Sequence, residues 1–198
     1  MNTENKDIIL ASASPRRHEL LAMVGVPHRI VTSDADEGSV LYTGDIAAYV
    51  SEVARLKNIA VRRSCEVTED SVIISADTIV YHPEGDEILG KPKDRDDARR
   101  MIRSYSGRVH KVLTGVCVYD VKTGREVAFA ESTDVYFRTL TDDEIDEYLD
   151  TPSPYDKAGA YGIQEGAAAF VSRIDGDYFN VVGLPVCRLC ETLSALIK

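Results

Sequence analysis

The sequence predicts an α/β protein built on a mixed β-sheet. Three observations favour this class. Segments rich in β-forming residues alternate with segments whose apolar residues recur at helical spacing, so strands and helices mix along the whole chain. Some neighbouring strands are joined by short turns and others by helices, which is typical of a sheet with both antiparallel and parallel pairs. The length of 198 residues, with 44% hydrophobic and 28% charged residues, fits one ordinary globular domain with a sizeable core.

The first part of the chain predicts two strands and two helices in alternation. Residues 8–11 form a short apolar run that predicts a buried strand, and residues 28–33 predict a second strand. A helix over 15–24 lies between them and is stopped by Gly25. Apolar residues recur at mostly helical spacing from about 45 to 63, which predicts the second helix.

The rest of the chain predicts hairpins and further helices. Residues 72–80 are rich in β-forming residues, and a turn at 83–86 pairs them with residues 88–89. Asp94 is suited to cap a helix that runs to about Tyr105. The remaining predicted elements are strands at 109–119 and 126–137 joined by a turn at 122–124, a helix at 141–149 opened by a capping box, a strand at 168–174 and a helix at 184–197.

The charge balance bears on partners and location. Lys plus Arg number 23 and Asp plus Glu number 33, so the formal net charge is −10. A protein that binds nucleic acid through its backbone needs a net basic surface, which argues against DNA or RNA as a partner. The apolar runs are too short for a membrane span or a signal peptide and the first residues are polar, so we expect a cytoplasmic protein without a membrane partner. Four cysteines do not suggest a disulfide scaffold.

The loop between the first strand and the first helix has the character of an anion site. Ser14 and Pro15 are suited to the N-cap and the first turn of the helix. Arg16 and Arg17 follow, although positive charge in a first turn is unfavourable by about 0.3–1 kcal/mol. An anion held by backbone N–H groups, serine hydroxyls and two guanidinium groups would remove this conflict. The alternative is a pair of solvated arginines that contact Glu19 or another acid.

Two acidic features are candidates for catalysis or metal binding. Asp77 interrupts the apolar strand at 72–80, and a buried carboxylate needs a partner, a hydrogen bond or a metal ion. It is therefore a candidate general base or metal ligand, unless it lies on an edge strand and faces solvent. Residues 33–37 follow the second predicted strand and are suited either to a hard divalent cation or to a solvated acidic loop.

Isolated cations beside small residues could complete a site for a polyanion. Lys57 lies on the second predicted helix, Lys91 in a GKP segment, and Lys157 in the stretch DKAGAYGIQ. Each alone is an ordinary surface lysine. Together with Arg16 and Arg17 they could line one cleft, which would reconcile a polyanionic substrate with an acidic protein.

Two other features are interpreted as structural. Cys187 and Cys190 form a C-x-x-C without a second pair, and Cys190 falls on an apolar helical stripe, which favours a core position over a zinc site. His110 lies in a predicted strand, and the four histidines lack metal-site spacing. We therefore expect His110 to be a hydrogen-bonded structural residue.

Six ordered segments together resemble the Maf family of nucleotide pyrophosphatases, over almost the whole chain. They are LASASPRRHELL at 10–21, ADTIV at 76–80, GKP at 90–92, SGRVHKVLTG at 106–115, DKAGAYGIQ at 156–164 and VGLP at 182–185. The resemblance implies a single domain over residues 1–198. It also implies an elongated two-lobed fold around a twisted mixed sheet with a central cleft, similar to the inosine triphosphate pyrophosphatases.

The resemblance further implies a reaction and a set of residues for it. The family hydrolyses nucleoside triphosphates at the α–β bond to the monophosphate and pyrophosphate, and it requires a divalent metal such as Mg²⁺, Mn²⁺ or Co²⁺. Phosphates would be held by Ser12, Ser14, Arg16 and Arg17. The implied catalytic residues are Arg17, Glu37, Lys57, Asp77 and Lys91. Asp77 would be the base for water, and Glu37 and Asp77 the metal ligands, although Asp36 stands where the family often has Glu and so leaves the ligands open.

Three positions resemble the subgroup of the family that prefers dTTP and UTP. Arg16, Thr78 and Gln164 match it, whereas the subgroup that prefers 7-methyl-GTP has Trp, Gln and Glu in their places. The amide of Gln164 offers a donor and an acceptor, which suits the imide edge shared by uracil and thymine. The expected substrate-binding set is completed by Lys157.

Other functions remain open at this point. The family's link to septum formation keeps in view a nucleotide-binding regulator of cell division that does not turn its ligand over. A purine-directed pyrophosphatase acting on 7-methyl-GTP or ITP is supported only by the expected similarity of fold, and a fold does not determine the substrate. A homodimer is also left open.

Overall fold

The computed structural model describes residues 6–64 and 66–197, so the polar start of the chain and Cys65 lie outside the described residues. Seven strands and six α-helices lie within those two ranges. The strands are β1 Asp7–Leu10, β2 Arg29–Ile30, β3 Ser71–His82, β4 Glu87–Leu89, β5 Val109–Asp120, β6 Glu126–Phe137 and β7 Val171–Asp175. The helices are α1 Pro15–Met23, α2 Ile46–Arg62, α3 Arg95–Tyr105, α4 Asp142–Leu149, α5 Tyr178–Val182 and α6 Val186–Leu196. None of the helices in the described part is long and apolar enough to cross a membrane.

The strands form a mixed sheet. Their order is β2-β1-β3-β5-β6-β7, and β4 pairs with β3. β1 is parallel to both β2 and β3, with Leu10 opposite Ile30 on one side and Ile74 on the other. β4 is antiparallel to β3 and β7 is antiparallel to β6. Parallel neighbours need crossover connections, and α1 and α2 supply them. The predicted α/β class with a mixed sheet is confirmed.

Contacts divide the described chain into two compact units. Unit 1 takes the residues up to Asp77, Thr114–Glu131, and the residues from Gly183 onward. Unit 2 takes Thr78–Leu113 and Ser132–Val182. Three strands, β3, β5 and β6, contribute residues to both units. That residues 1–198 form a single domain stays a prediction.

Unit 1 has an apolar core to which β1, β3 and α2 contribute. Its fully or nearly buried members are Ile9, Ala11, Val31, Val61 and Ile73. The helix that supplies Val61 begins where the sequence predicts it, because the Asp45 carboxylate accepts hydrogen bonds from the backbone N–H groups of Ala47 and Ala48, each at 3.0 Å.

β5 and α2 approach each other closely at Gly115. A Cβ atom at this position would lie 2.2 Å from the carbonyl oxygen of Val50 and 2.7 Å from the backbone nitrogen of Ser51. No side chain fits into that space without moving the backbone of α2. Gly115 therefore sets how near this helix lies to the sheet.

Unit 2 has an aromatic core around His110. The imidazole is fully buried, its centroid lies 4.1 Å from that of Tyr105, and Phe137 packs edge-on against it. Its Nε2 atom lies 2.8 Å from the hydroxyl oxygen of Tyr161. The interpretation of His110 as a hydrogen-bonded structural residue is confirmed.

Three predicted elements differ from the structure in extent, and one observed helix was not predicted. The strand expected over 28–33 is only Arg29–Ile30, which pairs with Ile9 and Leu10 of β1. The strand expected from 168 begins at Val171, after a 3-10 turn at Gly166–Ala169. The last helix was expected from 184 but begins at Val186, with Pro185 as its N-cap. The short helix α5 was not predicted.

The burial of His110 predicts a loss of stability in acid. Burial, with a smaller contribution from the charge of His82, lowers the pKa of His110 from an ordinary value of 6.5 to about 3. Below pH 6.5 the unfolded chain therefore binds a proton that the folded chain does not. The free energy of unfolding should fall by up to about 1.4 kcal/mol per pH unit as the pH drops from 6.5 towards 3. Urea unfolding of the native protein and of His110→Phe at several pH values checks this. Equal pH dependence in the two proteins would contradict it.

Candidate active site

The loop between β1 and α1 is organised by a half-buried arginine. The Nε atom of Arg17 donates to the carbonyl oxygen of Gly183 at 2.9 Å, and Nη1 donates to Ser12 Oγ at 3.1 Å. Ser12 is buried, and its Oγ also accepts from the backbone N–H of Ser14 at 3.2 Å. Arg17 is therefore tied to the loop and to a distant segment of unit 1, unlike the solvated arginine that was its alternative.

The start of α1 agrees with the predicted anion site. Ser14 occupies the N-cap and Pro15 the first helical position, as the sequence predicts. The first turn has no acidic residue, and the Ser14 side chain makes no capping hydrogen bond within the described chain. Backbone N–H groups at a helix start that lack a side-chain cap favour a negatively charged ligand.

A lysine and two carboxylates form the centre of the candidate site. The Nζ atom of Lys57, on α2, donates to Asp77 Oδ1, on β3, at 2.7 Å, and it lies 3.0 Å from Glu37 Oε1. The side chains of Lys57 and Asp77 are 13% and 15% exposed, whereas that of Glu37 is 55% exposed. β3 lies between β1 and β5, so Asp77 is not on an edge strand. Its carboxylate has the partner that a largely buried acid requires.

Electrostatics connects this cluster with the arginine loop. Burial lowers the pKa of Arg17 and the neighbouring Arg16 lowers it further, while Asp77 and Glu37 raise it. The guanidinium group of Arg17 is therefore within electrostatic reach of both carboxylates. Unit 1 thus brings together seven of the predicted site residues, namely Ser12, Ser14, Arg16, Arg17, Glu37, Lys57 and Asp77.

Two buried polar residues that the sequence analysis missed hold α2 on the sheet beside this cluster. Asn58, which follows Lys57, is fully buried, and its Nδ2 donates to the carbonyl oxygens of Ile73 at 3.0 Å and Cys117 at 3.1 Å. Ser75 Oγ donates to a backbone carbonyl of α2 at 2.6 Å. The available signal was polar residues at otherwise apolar positions, one on the helix and one on the strand.

Tyr49 is a further neighbour that the sequence analysis did not single out. It lies on α2 about two turns before Lys57, on the same face of the helix. Burial raises the pKa of its phenol, and the charges of Asp77 and Glu37 raise it further. The ring of Tyr42 packs edge-on against it, with centroids 5.9 Å apart. An aromatic residue at helical spacing is usually a core residue, so the sequence carried no distinct signal.

The other predicted site residues lie in unit 2. Thr78 is half-buried on β3, and Lys91 is exposed just after β4. The backbone N–H of Gly159 donates to the carbonyl oxygen of Gly90 at 2.9 Å. The segment that carries Lys91 therefore lies beside the segment that carries Lys157.

Lys157 is buried, whereas the sequence predicts a cation available to the substrate. Its side chain is 8% exposed, and Nζ lies 2.9 Å from the carbonyl oxygen of Ser153, 2.6 Å from Asp156 Oδ1 and 3.0 Å from Glu165 Oε2. Gln164, in the same loop, is exposed. A direct contact of either residue with substrate stays a prediction.

The residues present fit a hard divalent cation. Glu37 and Asp77 supply carboxylate oxygens that converge within 3.0 Å of one nitrogen of Lys57. Mg²⁺ is usually held by one or two carboxylates together with water and substrate phosphates. Within 6–64 and 66–197, no group of three or more His, Cys, Asp or Glu side chains is arranged to hold a metal ion by itself.

Comparison with known proteins identifies the family of this chain. Residues 7–196 match the family described as Maf-like protein. The chain belongs to the Maf family. Maf relatives named dTTP/UTP pyrophosphatase include that of Alkaliphilus oremlandii (strain OhILAs), which is 47% identical over 188 residues, 93% of each chain. The relative of the same name from Geotalea uraniireducens (strain Rf4) is 47% identical over 197 residues, 99% of this chain and 98% of its own.

Among solved structures, this Maf-family chain resembles the Ham1 protein of Staphylococcus aureus. The TM-score is 0.53, and the match covers 96% of this chain and 99% of the other. Because the sequences are only 12% identical, the likeness concerns the fold alone. It supports the predicted α/β fold class.

Proposed function

We propose that this Maf-family chain hydrolyses dTTP and UTP to the nucleoside monophosphate and pyrophosphate. The observation that carries the proposal is the Lys57–Asp77 pair at 2.7 Å, within electrostatic reach of Arg17. It combines a carboxylate that can accept a proton with cations that can hold phosphates. The relatives named dTTP/UTP pyrophosphatase, 44–48% identical over nearly the whole chain, support the choice of substrate.

The residues of unit 1 divide the work in a way that suits attack of water on a phosphoryl group. Arg16 and Arg17 neutralise phosphate oxygens by charge-assisted hydrogen bonds, with the hydroxyls of Ser12 and Ser14 beside them. Asp77 orients the attacking water and takes its proton, which is the role of a general base. Lys57 fixes the position of that carboxylate and adds positive charge.

Glu37 and Asp77 are the residues that would hold a divalent cation, Mg²⁺, Mn²⁺ or Co²⁺. When bound, such an ion supplies positive charge to the oxygens of the triphosphate. Glu37 is the more exposed of the two carboxylates, and if it turned toward an ion Lys57 would keep its hydrogen bond to Asp77. Lys91 is proposed as a further catalytic cation.

Selection of the base is assigned to Thr78 and Gln164, with Arg16 as the third position that matches the subgroup preferring dTTP and UTP. The exposed amide of Gln164 can donate one hydrogen bond and accept another, which matches the imide edge of uracil and thymine. Lys157 belongs to the same substrate-binding set. The proposal places the enzyme in the cytoplasm, with a small-molecule substrate and without nucleic acid or membrane as a partner, in keeping with its net charge of −10.

Product analysis tests the function. The protein is incubated with dTTP, UTP, CTP, ITP or 7-methyl-GTP, with Mg²⁺ or with a chelator, and the products are separated by ion-exchange chromatography. We expect monophosphate and pyrophosphate from dTTP and UTP, and no turnover without metal. Diphosphate and orthophosphate would contradict cleavage at the α–β bond. Tight binding without turnover would favour a regulator, and a preference for 7-methyl-GTP or ITP would favour a purine-directed enzyme.

A further inference from the structure

The ammonium group of Lys157 is fully engaged within unit 2. Its three N–H donors are matched by three oxygens, the Ser153 carbonyl and the carboxylates of Asp156 and Glu165. The residue as a whole is only 7% exposed. A buried lysine with every donor occupied stabilises its own loop. It would have to break its contacts with these oxygens to reach a phosphate.

Lys157 also contacts both ends of the turn that presents Gln164. The backbone N–H of Glu165 donates to the carbonyl oxygen of Gly162 at 3.1 Å, which closes the turn. At the start of the turn, a Cβ on Gly162 would lie 2.7 Å from Cε and 2.9 Å from Cδ of Lys157, so the lysine side chain packs directly on the backbone of Gly162. At the end of the turn, the Glu165 carboxylate lies 3.0 Å from the Nζ atom of Lys157. Between them, Ile163 is buried and Gln164 is exposed.

The last residue of the turn is held by more than one partner. Ser153 Oγ donates to the Glu165 carboxylate, and the Ser153 carbonyl accepts from Lys157, so the three residues form a closed set. Burial raises the pKa of Glu165, but hydrogen bonds from Ser153 and Lys157 outweigh it, so the pKa lies below its usual value. Removing the ammonium leaves this partly buried carboxylate without its charged partner.

We propose that Lys157 is a positioning residue, which holds the 162–165 turn so that Gln164 meets the pyrimidine base, and not a ligand of the phosphates. This inference rests on the proposed function, because it assigns Gln164 to the base. It predicts that selectivity for the base depends on Lys157, whereas binding of phosphate groups does not.

The first test compares three variants of the full chain. Lys157→Met keeps the length of the side chain but removes the charge, Glu165→Gln keeps the lysine but weakens its hold on the turn, and Asp156→Asn is the matched control outside the turn. The measurements are the ratio of kcat/KM for UTP to that for CTP, whose base edges differ, and inhibition by pyrophosphate as a probe of phosphate binding. We expect the ratio to fall roughly tenfold in Lys157→Met and Glu165→Gln, with the inhibition constant of pyrophosphate changed less than twofold. Asp156→Asn should change neither.

A phosphate role for Lys157 gives the opposite pattern. Lys157→Met would then weaken pyrophosphate inhibition tenfold or more at an unchanged UTP to CTP ratio, and Glu165→Gln would leave the ratio unaffected. Either result overturns the proposal. Glu165 is 39% exposed, so Glu165→Gln is expected to fold even if Lys157→Met does not.

A second measurement does not depend on activity. Hydrogen exchange at the backbone N–H of Glu165 reports opening of the turn, and it should be at least tenfold faster in Lys157→Met and Glu165→Gln than in the native protein and in Asp156→Asn. Unchanged exchange in both variants would overturn the positioning role even if activity were altered. If the native protein does not hydrolyse UTP or dTTP, the proposed function fails, while exchange still decides whether Lys157 holds the turn.

Discussion

Replacing Asp77 by Asn is expected to lower kcat for dTTP and UTP hydrolysis by roughly 10²–10⁴-fold, the usual contribution of a general base. The amide cannot take a proton from water at neutral pH, but it has the size of the carboxylate and keeps an oxygen that can accept from Lys57. The fold should therefore survive, since Nζ of Lys57 lies 2.7 Å from the oxygen that is retained. Steady-state kinetics on the purified variant, with circular dichroism to verify folding, checks the expectation.

The chain offers a matched control for this substitution. Asp134 is also a strand aspartate paired with a lysine, because Lys111 Nζ donates to its Oδ1 at 2.6 Å, and its side chain is 32% exposed. Asp134→Asn removes a similar ion pair outside the candidate site and should leave kcat within about twofold, because a half-exposed pair contributes little. A folded Asp77→Asn enzyme with nearly full activity would show that Asp77 is structural.

Replacing Gly115 by Ala is expected to destabilise the protein by about 3 kcal/mol, at the upper end of the usual cost of overpacking. The added Cβ would lie 2.2 Å from a backbone oxygen of α2, so the helix must shift and cannot relieve the contact by turning a side chain. Because Lys57 lies on the same helix, the shift should also disturb its contact with Asp77. We therefore expect kcat to fall as well, under conditions where the variant remains folded.

Urea unfolding of Gly115→Ala and Gly85→Ala separates this packing effect from the general effect of replacing a glycine. A Cβ on Gly85 would make an ordinary contact, 3.8 Å from Glu87 Cβ. Gly85→Ala should stay within about 1 kcal/mol of the native protein. If the two variants were equally stable, α2 would not be held against β5 as closely as described.

Local patterns were enough to predict most of the fold. Asp45 and Asp94 cap α2 and α3 because their side chains accept hydrogen bonds from N–H groups two or three residues away, and such signals are contained in the sequence. The two-residue length of β2 was not predictable in the same way. It depends on pairing with the last two residues of β1, which is a property of the assembled sheet.

The candidate site was predictable in its residue types but not in its contacts. The conflict between Arg17 and the helix dipole indicated an anion site, yet its bond to Gly183, 166 positions away, has no local signature. The lone acid in β3 indicated Asp77, whereas the sequence offered Lys57 only as one of several cations that could line a cleft, and its catalytic role was implied by the family resemblance. The sequence predicts that Lys157 is available to substrate. Its burial could not be predicted, because it depends on the contacts of the 162–165 turn, which have no local signal in the sequence.

The bond between Arg17 and the Gly183 carbonyl also has a consequence for how the protein is made. Unit 1 is assembled from three stretches of chain, the last of which begins at Gly183. At ordinary rates of translation, roughly 10–30 s pass between synthesis of the arginine and synthesis of its partner. During that interval, in which both stretches of unit 2 are synthesised, the nascent chain carries the arginine loop without the residue that anchors it. The arginine loop therefore takes its final form only late in synthesis, when the stretch that begins at Gly183 is added.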